Sequence, residues 1–318
     1  MILVTGATGF IGSHLVEALL ARGERVRSFV RRPGTTLPGG EVIRGDLVTG
    51  AGLQEALKDV RAVFHLAGAT KVLRSADYYS ANVTATENLV RLLHGRGIRL
   101  VHVSSLAAAG PSPGPTPLDE DAEPHPLTAY GKSKLEGERV VRALAEDAVI
   151  VRPPVVYGPR DTDVFQILKP ISRGWAFEIS GGERWFSAIY VRDLVDGLIA
   201  AWKAPSASGR TYFLCHPAPL RWQDFTLTAA RIMGRRLHPV RIPAAVAYTV
   251  ACLSELRAHA AGKPGIVSRD KVAEARCSGW VCDGGRAASE LGFRARTPLE
   301  KGLAETLAWY KEAGWLRF

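Results

Sequence analysis

The chain has 318 residues, 47% of them hydrophobic and 23% charged, with 41 Lys and Arg against 31 Asp and Glu for a formal net charge of +10. This is the make-up of an ordinary globular protein with a sizeable core, and its positive balance suits anionic ligands such as phosphates. It does not suit nucleic acid: the arginines are dispersed (Arg22, Arg91, Arg142, Arg231), with no basic run or aromatic ladder. The four cysteines, Cys215, Cys252, Cys277 and Cys282, lack zinc-ligand spacing. They read as free thiols of a reducing, cytoplasmic compartment, and no metal is expected. No leader is expected before Met1, because folding starts there. The longest apolar stretch, residues 244–253, is too short to span a bilayer.

The first element is a short apolar strand, Ile2-Leu3-Val4, followed by Gly6, Gly9 and Gly12 and a helix carrying Ile11, Leu15, Val16, Leu19 and Leu20 on one side, stopped at Gly23. A strand, a glycine turn and a helix in that order make a phosphate site. Gly6 permits the tight turn, Gly9 lets backbone approach a pyrophosphate, and Gly12 lets the helix pack close. The second strand, Val26 to Val30, ends in Arg31 and Arg32 with no acid. An acid there would bind the ribose hydroxyls of NAD, and arginine would pair with the 2′-phosphate of NADP. NADP is therefore the expected cofactor, with NAD as the alternative.

A third strand runs to Asp46-Leu47, and a short helix covers about Gly50 to Lys58. A fourth, nearly all-apolar strand ends in Leu66-Ala67-Gly68, small enough for a cofactor to lie against. A helix from about Asp77 to His94, a strand to Ser104-Ser105, a proline-rich acidic loop (107–126), a helix from about Leu127 to Ala145 and a strand from Ala148 to Val156 follow. This alternation predicts an α/β fold, a doubly wound parallel Rossmann sheet over residues 1–160 with 186–215 returning to it. Residues 161–318 read as a smaller, mainly helical substrate lobe. Helices are expected at Phe165 to Gly174 and Ile189 to Trp202, and a strand at Arg210 to Cys215.

Tyr130 and Lys134 stand four residues apart, so they share a helix face. A free tyrosine, with a pKa of about 10, is a poor base near neutrality. An adjacent ammonium and an oxidised nicotinamide would favour the phenolate and make Tyr130 the acid–base of an alcohol/ketone pair. Ser104 or Ser105, at a strand end, would donate a hydrogen bond to the substrate oxygen.

Taken together, Thr5 to Gly12, Asp46-Leu47, His65 to Gly68, Asn82, Ser104-Ser105, Tyr130-x-x-x-Lys134, Arg152 to Pro159 and Ile189 to Leu194 resemble the extended short-chain dehydrogenase/reductase family. This is the NAD(P)-dependent epimerase/dehydratase group. The resemblance implies catalysis by Ser105, Tyr130 and Lys134, with Lys134 also holding the nicotinamide ribose. It implies that Phe10 and Ile11 cover the pyrophosphate, Asp46 and Leu47 contact adenine, Asn82 supports the site, Pro154 lies by the nicotinamide, and the protein is a homodimer.

Leu106 and Ala107 follow Ser105 where dehydratases of the family carry an acidic pair, so sugar dehydration is disfavoured. Phe186 stands where many nucleotide-sugar enzymes place an arginine, with Arg184 as a nearby substitute. The stretch Val26 to Arg31 is similar to dihydroflavonol-reductase-like enzymes. The apolar C-terminal segments, with Arg269 to Lys271 and Trp280, are similar to 3β-hydroxysteroid-dehydrogenase-like ones. The expected substrate is a small molecule, an apolar or amphipathic alcohol or ketone. The alternatives are a nucleotide-sugar epimerase or reductase with tightly bound NAD and a non-catalytic cofactor sensor. Trp175, Phe177, Trp185, Phe186 and Tyr190 are candidates for an apolar pocket, although core packing is the reading preferred for most of them. Ala244 to Leu256 reads as an amphipathic or buried core helix in preference to a membrane-surface contact.

Overall fold

A computed structural model describes residues 1–32, 37–263, 265 and 267–318. The chain begins with β1 (Ile2–Thr5), α1 (Phe10–Ala21), β2 (Val26–Val30), β3 (Glu41–Arg44), α2 (Leu53–Ala56), β4 (Ala62–His65) and α3 (Ser75–Tyr79). A π-helical turn (Ser80–Thr84), α4 (Ala85–Leu93), β5 (Arg99–Val103), α5 (Leu106–Ala109), α6 (Ala129–Leu144) and β6 (Ala148–Arg152) follow. The remainder comprises β7 (Val155–Tyr157), α7 (Asp163–Ile171), β8 (Trp175–Ile179), β9 (Trp185–Phe186), β10 (Ala188–Tyr190), α8 (Val191–Lys203) and β11 (Thr211–Phe213). After these come β12 (Leu220–Arg221), α9 (Trp222–Ile232), β13 (His238–Ile242), α10 (Ala244–Ala261), α11 (Arg269–Arg276), β14 (Gly279–Trp280), α12 (Gly285–Glu290) and α13 (Leu299–Glu312).

The main sheet is a seven-stranded parallel Rossmann sheet in the order β11-β6-β5-β4-β1-β2-β3. Its inner strands are apolar runs because helices cover both faces: all four residues of β1 and all five of β6 are buried. The strand order reverses between β1 and β4, which opens a crevice at their C-terminal ends. Thr211 pairs with Ile150 in parallel register, which sets β11 at the edge of this sheet.

Several expectations change. The strand expected over 148–156 is two strands: Pro153-Pro154 lacks the N–H groups a ladder needs, so β6 stays in the main sheet and β7 pairs with β10. The helix expected over 50–58 is one turn, α2, because Gly52 enters it at a positive φ of 78°. The loop from Ala107 begins in a helical turn and is tied down by bridges from Ser112 to Gly279 and Leu118 to Cys282. The C-terminal lobe is mainly helical, as expected, with the small sheets β12-β9-β14 and β13-β8 among its helices.

Phe186 and Tyr190 belong to a second core with Phe225, Leu303 and Tyr310. Trp175 and Phe177, by contrast, are exposed. The expectation for Ala244 to Leu256 fails: only Ala251 and Ala258 of α10 are buried.

Candidate active site

The glycine turn is built by close contacts. Gly6 has φ +71°, and a Cβ there would lie 2.7 Å from Ala67 N and 2.8 Å from Leu66 C, so the turn rests on the end of β4. A Cβ on Gly12 would lie 2.1 Å from the Gly6 carbonyl oxygen, which seats α1 on the turn itself. Gly9 is the N-cap of α1, its N–H donating to Gly6 O at 2.9 Å, and no side chain caps the helix. The first-turn N–H groups of α1, including those of Phe10 and Ile11, have no intrahelical partners. With the helix dipole behind them they form an anion cradle, and a larger residue at Gly6 or Gly12 would collide with the backbone that shapes it.

Arg31 and Arg32 are exposed just after β2. The Asp46-Leu47 turn is held from two sides. Asp46 Oδ1 accepts from Val48 N at 2.7 Å, and Asn88 Nδ2 of α4 donates to Leu47 O and Val48 O at 3.0 and 2.8 Å.

Thr128 caps α6, its hydroxyl accepting from Gly131 N at 3.2 Å. A Cβ on Gly131 would lie 2.3 Å from Ala107 O, so only glycine lets α6 settle against α5. That contact brings Tyr130 near Ser105, which caps α5 and accepts from Ala107 N at 3.2 Å. Burial pushes the phenol up to about 12; Ser105 works against this, while Glu274, Tyr78 and Asp163 add to it. The Tyr78 ring lies 5.7 Å from that of Tyr130.

Lys134 lies on the expected face of α6. It is 6% exposed, and its Nζ donates to Val103 O at 2.8 Å. Burial lowers it to about 8, opposed by Glu138. In the chain alone Lys134 is anchored to β5 through Val103 O, and burial is the largest influence on Tyr130.

Asn82, in the π-helical turn, accepts from Ala69 N through Oδ1 at 2.9 Å and donates through Nδ2 to Ser133 Oγ at 2.9 Å. Ser133 in turn donates to Tyr130 O at 2.7 Å. Gly68 is required here, since a Cβ would lie 2.6 Å from Asn82 Oδ1. Thr86 Oγ1 donates to Asn82 O at 2.8 Å, so it accepts from His65 Nε2 at 3.0 Å. His65 Nδ1 is then the acceptor for Thr5 Oγ1 at 2.7 Å. One polar chain thus links the end of β1 to the helix of Tyr130. Burial, with the Lys134 charge behind it, lowers His65 to about 3, so it works as a neutral strut.

The motif reading missed Thr5, His65, Thr86 and Ser133 as site supports, although the first two and the last lie within its own motifs. Tyr78 and Glu274 carried no local signal. Ser104 is 4% exposed, and its hydroxyl has no partner among the described residues. An orphaned buried donor beside Ser105, on the same C-terminal edge of the sheet as the anion cradle, fits a bound dinucleotide and substrate. Pro154 is half-buried, and the adjoining Pro153 carbonyl accepts from Leu106 N at 2.9 Å, which fixes the Pro-Pro elbow against α5.

The profile of the NAD dependent epimerase/dehydratase family matches residues 2–215. The chain belongs to that family. Its family relatives include 3β-hydroxysteroid-dehydrogenase and dihydroflavonol-reductase-like proteins. A ceramide reductase of Caulobacter vibrioides is 29% identical over 99% of this chain and 96% of its own length. A 4-hydroxy-2-methyl-3-oxo-4-farnesyl-3,4-dihydroquinoline-1-oxide ketoreductase of Stigmatella aurantiaca is 28% identical over 94% of this chain and 93% of its own. Among solved structures, MoeE5 in complex with UDP-glucose and NAD superposes with a TM-score of 0.77 at 28% identity, covering 98% of this chain and 99% of that one. As a member of the family the chain is an enzyme of the NAD-dependent oxidoreductase/epimerase type with a Rossmann cofactor fold.

Two residues bear on the substrate. Phe186, in the position where nucleotide-sugar members carry arginine, is 9% exposed and packs on Phe225. Arg184 is occupied with backbone carbonyls: Nε donates to Ala275 O at 2.5 Å and Nη1 to Gly182 O at 3.1 Å.

Proposed function

We propose that the protein is an NADP-dependent oxidoreductase that interconverts an alcohol and a ketone on an apolar or amphipathic substrate. The observation that carries this reading is the Ser105–Tyr130 pair set beside the unpartnered Ser104 hydroxyl, at the sheet edge that faces the glycine cradle. Gly6, Gly9, Gly12, Phe10 and Ile11 would hold the pyrophosphate, Arg31 and Arg32 the 2′-phosphate, and Asp46 and Leu47 the adenine. Leu66, Ala67, Gly68, Asn82 and Pro154 would border the nicotinamide half, and Lys134 its ribose. When bound, the nicotinamide donates or accepts the hydride at the carbinol carbon. In the reducing direction Tyr130 gives its phenolic proton to the carbonyl oxygen, and Ser105 holds that oxygen by a hydrogen bond. Burial keeps the Tyr130 proton in place near neutrality, as the reducing direction requires.

The near-full-length relatives support an apolar substrate, since the ceramide reductase and the farnesyl-quinoline ketoreductase are named for lipid-like compounds. The buried Phe186 and the occupied Arg184 weigh against a nucleotide sugar. The likeness to MoeE5 favours a second reading, an epimerase with tightly bound NAD. No helix among the described residues is long and apolar enough to cross a membrane; a cytoplasmic site and a homodimer belong with the proposal.

The test is calorimetric titration with NADP, NAD and then UDP-sugars, followed by NADPH oxidation in the presence of detergent-dispersed long-chain ketones. NADP binding, no UDP-sugar heat and ketone-dependent NADPH oxidation are expected. Saturable UDP-sugar binding without net cofactor turnover would replace this reading with the epimerase.

A further inference from the structure

Helix α10 is turned inside out. At 100° per residue, Ala244, Ala247, Ala251, Glu255 and Ala258 share one face, and Ala251 and Ala258 are the two buried residues of the helix. The opposite face carries Val246, Val250, Leu253 and Leu256, which are 50, 50, 57 and 68% exposed. A helix that packed for its own stability would bury the large side chains and show the alanines, because burying a Leu or Val is worth about 1.5–3 kcal/mol each. The chain enters α10 directly from the β8–β13 ribbon through Pro243. There the register sets Trp175 beside His238, Phe177 beside Val240 and Ile179 beside Ile242, all on one face. Trp175 and Phe177 are each 47% exposed, while Ala176 between them is buried. A cleft of about 480 Å³ runs along the helix between Leu253, Arg257, Ala261 and Gly265.

The surrounding charge identifies what covers this face. Residues 235–263 contain Arg235, Arg236, Arg241, Arg257 and Lys263 against a single acid, Glu255. Glu255 is engaged by Arg269, through its N and Nε at 2.8 and 2.7 Å. On the ribbon, Glu178 is paired with Arg241. A second copy would bring the same cations against each other. An anionic bilayer surface would take the apolar side chains into its acyl boundary and meet the cations at phosphate level. With 18 residues, α10 is about 27 Å long and can lie flat in that plane.

We propose that α10 and the β8–β13 ribbon seat the protein on an anionic lipid membrane surface. The seat adjoins the active site: α11 is joined to α10 by the Glu255–Arg269 pair, and its Glu274 accepts from Thr128 Oγ1, the cap of the Tyr130 helix, at 3.4 Å. Apolar substrate could then pass from bilayer to site without crossing water. This inference goes beyond the proposed chemistry, and vesicle binding reads it without any turnover.

The experiment is co-sedimentation of the full chain with vesicles of phosphatidylcholine alone or mixed with phosphatidylglycerol. Binding to the mixed vesicles is expected to exceed binding to the neutral ones by about tenfold or more, and to fall as salt rises. The Val250→Glu/Leu253→Glu/Leu256→Glu variant should lose it while keeping its circular dichroism and cofactor titration. Trp175→Ser/Phe177→Ser should weaken it in the same direction should the helix variant fail to fold. Leu227→Glu, which alters an exposed leucine of α9, should bind as the parent does. The proposal is overturned if the parent stays in the supernatant with both vesicle types, or if the folded α10 and ribbon variants sediment like the parent. A dimer in sedimentation velocity that the α10 variant splits, with no vesicle binding by either, would assign the face to a second copy instead.

Discussion

Helices α6 and α10 are of similar length, 16 and 18 residues, and each departs from the ordinary amphipathic pattern in the opposite sense. α6 buries Ser133, Lys134 and Glu138, polar groups that would be better solvated in water. α10 leaves four large aliphatic side chains exposed that would be better buried. The first departure is compensated inside the fold. Lys134 has Val103 O, Ser133 has Asn82, and Glu138 receives Nε and Nη2 of Arg152 at 2.8 and 2.7 Å. The second has no compensation among the described residues. A buried polar helix with every partner supplied marks chemistry, and an exposed apolar helix without partners marks an interface.

The largest effect that sharpens this contrast is on Tyr130. Tyr130→Phe should lower kcat by about 10²–10⁴-fold with little change in urea midpoint, because the phenol supplies a proton rather than a packing contact. If steady-state turnover survives within a few-fold, the polar face of α6 serves stability alone. Next comes Glu138→Gln. It leaves Arg152, 2% exposed, without its counter-charge and should lower unfolding stability by about 3–5 kcal/mol in urea titration. A loss under 1 kcal/mol would show that this end of α6 admits water.

Arg31→Ala/Arg32→Ala should weaken NADP by about 10- to 100-fold in calorimetry and leave NAD nearly unchanged. Equal losses for both cofactors would remove the 2′-phosphate assignment.

The smallest effect is on pH dependence. Folding lowers Lys134 to about 8 from its ordinary 10.5, so above pH 8 the unfolded chain binds the extra proton and stability gains as pH rises toward 10.5. Lys134→Met removes this term, so the parent's stability relative to the variant should climb over that window in the cofactor-free state. A flat difference would mean that the ammonium is solvated.

The first half of the fold was readable in the sequence because its determinants are local. Gly6, Gly9 and Gly12 act within one turn, and the apolar runs of β1, β4 and β6 state their own burial. The strand that follows Pro153-Pro154 belongs to another sheet, and its partner Ala188–Tyr190 lies far along the chain, so no local pattern separates it from β6. Strands of two residues such as β9, β12 and β14 are too short for a period to register. In the site, the spacing of Tyr130 and Lys134 gave the face of the helix but not the rotamer, which Val103 O decides from β5. α10 was misread because alanine and leucine count alike as apolar. Which side faces inward is settled by the contact with α11, which no periodicity of α10 announces.

The Pro153-Pro154 elbow has one more consequence. The chain leaves the main sheet there, runs beside β10 as β7, and β10 leads straight into α8, which packs back against the first core through Leu194, Val195 and Leu198. The outgoing and returning strands are hydrogen-bonded to each other in parallel, Val155 to Ala188 and Tyr157 to Tyr190. The lobe is thereby joined to the main sheet by two adjacent strands, one leaving and one returning, rather than by a single length of chain.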